Sequence, residues 1–193
     1  WTSAGGGGGV NITGPPVADP LEGIIFITST SGCSPVMVAP GVESPLDGPE
    51  QTGTTHSDWS RGIGVGERGR ADLATIDGLS IWKGPVGRIT AIDLNTGDHI
   101  WATPHGDAPD EEQDLIRNHP LLQGVEGVPI NPGRRGHAAM VVTPTLLLAS
   151  GQTSDGTPHL FAIDKRTGKR VGAIELPGST RYGMSSWVHE GRQ

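Results

Sequence analysis

The chain has 193 residues, and its 31 Gly and 16 Pro make up roughly a quarter of it, about twice average usage; with only 4% aromatic residues, a helical bundle is excluded. A net charge of −7, from 14 Lys and Arg against 21 Asp and Glu, with the basic residues scattered along the chain, excludes a nucleic-acid footprint. One cysteine, Cys33, excludes an internal disulfide framework and a cysteine-based zinc site, and no run approaches the ~18 consecutive apolar residues of a membrane span.

The first strand pair is predicted in residues 16–27 (PVADPLEGIIFI). Residues 29–86 follow with little regular pattern, a length that marks functional or disordered chain. Alternating apolar residues then run through Ile89 and Ala91 into the turn Asp93-Leu94-Asn95-Thr96-Gly97 and out through Ile100. This reads as a β-hairpin in which the Asp bonds turn amides and the Gly supplies a positive φ. Residues 104–136 form a second long connection. Within it, 107–117 (DAPDEEQDLIR) hold an N-cap candidate, an early Pro and acidic residues in a first turn, and Asn118-His119-Pro120 stops them, which predicts a short surface helix. A second strand pair is predicted at 138–148 (AAMVVTPTLLL), and a second hairpin turn at Ala162-Ile163-Asp164-Lys165-Arg166-Thr167-Gly168, 71 residues after its first copy. The segment 182–188 (YGMSSWV) reads as an inner strand, followed by the turn His189-Glu190-Gly191.

Two hairpins per unit make a four-stranded antiparallel sheet, and such units in a fixed order predict an all-β fold, a partial β-propeller. One partial propeller domain is expected over residues 1–193. Its first blade occupies 1–103, with strands in 11–103 and an insertion at 29–86. The linker, the helix and a second blade, with strands in 137–174, occupy 104–181, and the first strand of a third blade lies in 182–193. The same short strands and Gly turns also suit a β-sandwich. The opening on Trp1 and the closing turn without a partner strand predict a fragment.

Three patterns carry no site. Gly64-Val65-Gly66-Glu67-Arg68-Gly69 has the glycine spacing of a dinucleotide loop, but no apolar strand precedes it. The acidic run from Asp107 to Asp114 lacks the alternate ligands and central Gly of a calcium-binding EF-hand loop. The 7 His residues never fall at metal-ligand spacing.

The string from Ala91 to Trp101 (AIDLNTGDHIW) resembles the tryptophan-docking repeat of the pyrroloquinoline quinone (PQQ) dehydrogenases, in which the Trp ring stacks against the next blade. The strings 6–14 (GGGGVNITG), 80–89 (SIWKGPVGRI) and 132–136 (PGRRG) are similar in order and spacing to the carboxy-terminal part of the glucose-dehydrogenase-like branch. That resemblance implies an eight-bladed propeller that oxidises a sugar or alcohol to the carbonyl with PQQ and Ca²⁺, on the periplasmic side of the cytoplasmic membrane. Electrons would pass on to a membrane quinone or a cytochrome. It also implies that the calcium ligands and the catalytic Asp, which come from earlier blades in the family, lie upstream.

In the family the cofactor lies on the propeller axis, at the face where inner strands begin, so residues just before those strands are the cofactor-binding candidates. Asn11 stands where the family has a cofactor-contacting Asn, and an amide both donates to and accepts from a quinone; the alternative is a turn Asn beside a Gly run. Lys83 precedes the first repeat hairpin and would pair with a PQQ carboxylate or quinone oxygen, or stay a solvated lysine. His137 and Arg181 open the second and third inner strands, as cofactor contacts or as surface residues; an Arg suits a tricarboxylate. A second function class is a non-catalytic propeller scaffold of the outer-membrane assembly type. The long insertions and the Gly-rich string before Asn11 favour the enzyme, because a scaffold blade needs only short loops.

Overall fold

Two antiparallel sheets carry the fold. The structure of the protein, a computed structural model, describes residues 2–3, 11–12, 14–31, 33–34, 38–40, 59–61, 75–80, 84–180, 183–187 and 189–191. In chain order the strands are β1 (Thr2–Ser3), β2 (Asn11–Ile12), β3 (Val17–Asp19), β4 (Ile24–Thr30), β5 (Cys33–Ser34), β6 (Val38–Pro40), β7 (Trp59–Arg61), β8 (Thr75–Ile76), β9 (Leu79–Ser80), β10 (Gly87–Asp93) and β11 (His99–Pro104). Helix α1 (Asp110–Asn118) follows, then β12 (Met140–Val142), β13 (Leu146–Gln152), β14 (Pro158–Asp164) and β15 (Arg170–Glu175).

The first sheet has the order β11-β10-β4, with both β2 and β3 on the far side of β4. Asn11 pairs with Thr30 and Val17 with Phe26, so β2 and β3 form one interrupted inner strand. Pro15 and Pro16 fall at the interruption and have no N–H to give the ladder. The second sheet is the meander β12-β13-β14-β15. The short pairs β1–β5, β6–β7 and β8–β9 lie before β2 or in the chain between β4 and β10.

Both repeats form the expected hairpin turns. Asp93 Oδ1 accepts from the amides of Asn95 at 2.7 Å and Thr96 at 3.3 Å, and Asp164 Oδ1 accepts from Arg166 at 3.0 Å and Thr167 at 2.9 Å. These amide bonds favour the carboxylates, whose pKa values fall below the ordinary range. Gly97 and Gly168 close the turns at φ 80° and 72°.

The sheets pack face to face through Phe26, Ile89 and Ala91 on one side and Met140, Leu147, Ala149, Phe161 and Ile163 on the other. Small residues let them approach closely: a Cβ on Gly14 would stand 2.6 Å from the carbonyl oxygen of Ala138. Trp101, on outer strand β11, crosses to the second sheet. Its Nε1 donates to the carbonyl of Lys165 at 3.0 Å, and its ring lies so close to Gly168 that a Cβ there would stand 2.7 Å from it. The second repeat carries Gly172 at the position of Trp101. Strand β15 is correspondingly open, with Val171 57% and Ile174 66% exposed. Side-by-side four-stranded sheets of this form make the fold a partial β-propeller.

Two expected elements differ. Helix α1 begins at Asp110, with Pro109 at its cap position and no side-chain cap bond; Asp107, the expected cap, is held instead by Arg170 at 2.9 Å. The strand expected in 182–188 is not formed over 183–187. A strand exists only against a hydrogen-bonded partner, and among the described residues none pairs with that segment.

The two ends of the sheets are unlike. At one end the connections are the short turns 20–23, 94–98, 143–145 and 165–169; at the other they include 31–86 and 105–139. The long connections gather where β4, β11 and β13 end and β10 and β12 begin, and it is there that chemistry has room. Among the described residues no helix is long and apolar enough to cross a membrane.

Candidate functional site

The returning stretch 131–137 builds the floor of this end. Asn131 organises it: its side-chain oxygen accepts from the amides of Ala108 and Gly133, both at 3.0 Å, while its Nδ2 donates to Asp107 Oδ1 at 2.8 Å. Gly133 sits at φ 75°, and a Cβ there would stand 2.1 Å from the carbonyl oxygen of Gly87. The backbone therefore runs directly against β10, and the amide of Arg134 donates to the carbonyl of His105 at 2.8 Å. Gly133→Ala combines left-handed strain with that clash, and an expected loss of about 2–3 kcal/mol would be read from urea unfolding. A loss within about 0.5 kcal/mol would show that the stretch relaxes freely.

Arg134 is committed to main-chain carbonyls. Its guanidinium donates to Asp107 at 3.0 Å and to Thr153 and Ser154, both at 3.2 Å, which fastens the stretch to the β13–β14 turn. His105 is buried beneath it with Nε2 2.9 Å from the carbonyl of Ser150. Burial pulls its pKa below the ordinary value, against the opposing pull of main-chain groups of Ser150 and Arg134, so the ring is neutral at pH 7 and donates from Nε2. Arg170 closes the outer side, its guanidinium 3.8 Å above the Phe161 ring and paired with Asp107.

Between these parts lies a cleft of about 290 Å³, with His105, Arg134, Arg135, His137, Gln152 and Thr180 in its wall. No carboxylate is among its described lining residues, in a chain of net charge −7. Thr180 Oγ1 is shielded from solvent and has no hydrogen-bond partner among the described residues; such an atom signals a missing acceptor or donor. Two features, the cationic wall and the orphaned hydroxyl, fit a polycarboxylate ligand such as PQQ. Ca²⁺ finds no such fit: among the described residues no three His, Cys, Asp or Glu side chains converge to hold a metal ion.

Of the residues singled out in the sequence, His137 lies in the cleft wall, exposed. Asn11 is placed by its backbone alone, opposite Thr30 at the start of the inner strand. Lys83 and Arg181 lie outside the described residues. Sequence reasoning missed Arg134, Arg135, His105 and Thr180. The signal for the arginines was present, since they stand just before an inner strand as His137 does. Nothing local marked His105, whose role comes from a carbonyl on β13.

The family model described as "PQQ: Glucose/ethanol/alcohol dehydrogenase, beta-propeller domain" matches residues 1–193. No curated protein matches the chain.

Proposed function

Because the chain belongs to the glucose/ethanol/alcohol dehydrogenase family of PQQ β-propeller domains, we propose that it is part of a quinoprotein oxidoreductase that oxidises a sugar or alcohol hydroxyl to the carbonyl. The observation that carries this reading is the cleft, whose wall holds two arginines and two histidines and, among the described residues, no carboxylate. Bound PQQ supplies an electrophilic quinone that accepts hydride from the carbinol carbon as the hydroxyl proton leaves to a base. Arg135 and His137, at the exposed rim, would hold its carboxylates, and a charge-assisted pair there fixes the orientation of the ring. Arg134 shapes the wall and keeps its guanidinium for the main chain. Neutral His105 adds no charge to the pocket and holds the ends of β11 and β13 together. The cross-sheet contact of Trp101 with Gly168 and Lys165 supports reading the first repeat as a tryptophan-docking motif whose ring docks on the second. The proposal includes Ca²⁺ as a second requirement, with ligands outside the described residues, a periplasmic location, and a membrane quinone or cytochrome as electron acceptor.

The test is dye-linked oxidation of sugars and primary alcohols by the whole protein. Activity is expected only when PQQ and Ca²⁺ are both present; activity that follows NAD would sink the proposal. PQQ binding, followed by the quinone absorbance, should weaken about tenfold in Arg135→Ala. A protein that binds no PQQ at all would instead be a scaffold.

A further inference from the structure

Hairpin β8–β9, helix α1 and the stretch 122–132 enclose a second cavity of about 680 Å³, within the size range of ligand pockets. Its walls are aliphatic, with Leu79, Leu115, Ile116, Leu122, Val125 and Val128 among them. Leu115 and Val125 stay 37% and 53% exposed, so apolar surface faces solvent at the mouth. Three carboxylates, Glu111, Glu112 and Glu126, also line it. Among the described residues none of the three joins an ion pair, and no Lys, Arg or His is among the described lining residues. The N-terminus of α1 offsets only part of the charge of Glu111 and Glu112.

An aliphatic cavity with unpaired carboxylates at its wall selects by charge as well as by size. An alkyl chain displaces water from the leucine and valine surface. A positive head group is drawn to the exposed carboxylates at the mouth, an attraction that is strongest at low ionic strength. A negative head on the same chain is repelled. Among the described lining residues there is no aromatic ring, so among them the carboxylates are the groups that hold the head. We propose that this cavity binds an aliphatic cation, a molecule with an apolar tail and an ammonium head. It lies at the same end of the sheets as the cationic cleft, and the two sites select opposite charges.

The test is calorimetric titration of the full chain, without PQQ and at low ionic strength, with octyltrimethylammonium, 1-octanol and octanoate. Saturable binding of the cation is expected, about tenfold tighter than 1-octanol, with octanoate weakest. Leu115→Lys, at a half-exposed helical position that a lysine tolerates, places a cation at the mouth and should weaken octyltrimethylammonium at least about tenfold. Glu112→Gln combined with Glu126→Gln should bring the cation down to the affinity of 1-octanol while leaving 1-octanol unchanged. Absence of saturable binding, equal affinity for all three probes, or indifference of the cation to both variants would overturn the proposal. Because PQQ is absent and no turnover is read, the outcome is independent of the dehydrogenase reading.

Discussion

Trp101→Ala is expected to destabilise the protein by about 3–5 kcal/mol, the range for removing a large aromatic from a packed position. The ring joins two sheets: it packs 5.8 Å from the Phe26 ring, covers Gly168 and donates to the Lys165 carbonyl at 3.0 Å. Removing it opens a void between the sheets and leaves that carbonyl without its donor. Gly168→Ala attacks the same contact from the other side. Its new Cβ would stand 2.7 Å from the indole ring, at φ 72°, and an expected cost of about 2–3 kcal/mol joins the clash to the left-handed strain. The two changes should not add. With Trp101 gone the clash disappears, and Gly168→Ala then costs only the strain, about 1–2 kcal/mol. Urea unfolding of the four proteins measures the coupling; losses that sum to within about 0.5 kcal/mol would mean that the ring and the glycine do not share an energy.

The two repeats were legible because an Asp-x-x-Thr-Gly turn is decided within five residues. Asp93 and Asp164 bond only groups of their own turns, and a glycine at positive φ needs no distant partner. The inner strand was legible only from Pro16 onward; that Asn11–Ile12 continues it across Pro15 and Pro16 depends on pairing with Thr30 and Ser29 of β4, which no local pattern shows. The start of α1 was not, because Asp107 answers to Arg170, a residue 63 positions away, and a cap candidate already bound elsewhere does not cap. The cleft was half legible. The arginine pair and His137 stand in strings whose place before an inner strand is visible in the sequence. Whether Arg134 points into the cleft or into the main chain depends on the loop 131–137 folding against Gly87 and on the β13–β14 turn supplying two carbonyls. Segment 182–188 has a strand's composition, yet a ladder needs a partner as well as a pattern.

Lys165→Met should cost about 3 kcal/mol, because it leaves a charge buried alone. Lys165 is the fourth residue of the second repeat, 4% exposed at its side chain; Asp19, which closes β3, is 6% exposed, and the two form an ion pair. Glu22 lies 3.4 Å from the same ammonium and also holds the exposed Arg166. Asp19 additionally accepts from the amides of Leu21 at 3.0 Å and Glu22 at 3.3 Å, so Asp19→Asn keeps the turn while removing the charge. It should cost less, about 2 kcal/mol, since Lys165 retains Glu22. In the double variant neither unpaired charge remains, and the loss should shrink to about 1 kcal/mol. Losses that simply add would show that the pair contributes no coupling. The pH dependence has a sign at each end. The bond from Lys165 is the main cause holding the Asp19 pKa below its ordinary 3.8, so its share of stability is present above that value and is lost as pH falls through the lower, folded value. The bond to Asp19 is the main cause raising Lys165 above its ordinary 10.5, so that share is complete below 10.5 and is lost as pH rises through the higher, folded value. Wild type and double variant should therefore differ by a constant amount between about pH 5 and 10 and converge at both extremes. A difference that instead grows on acidification would place the buried charge on some group other than Asp19.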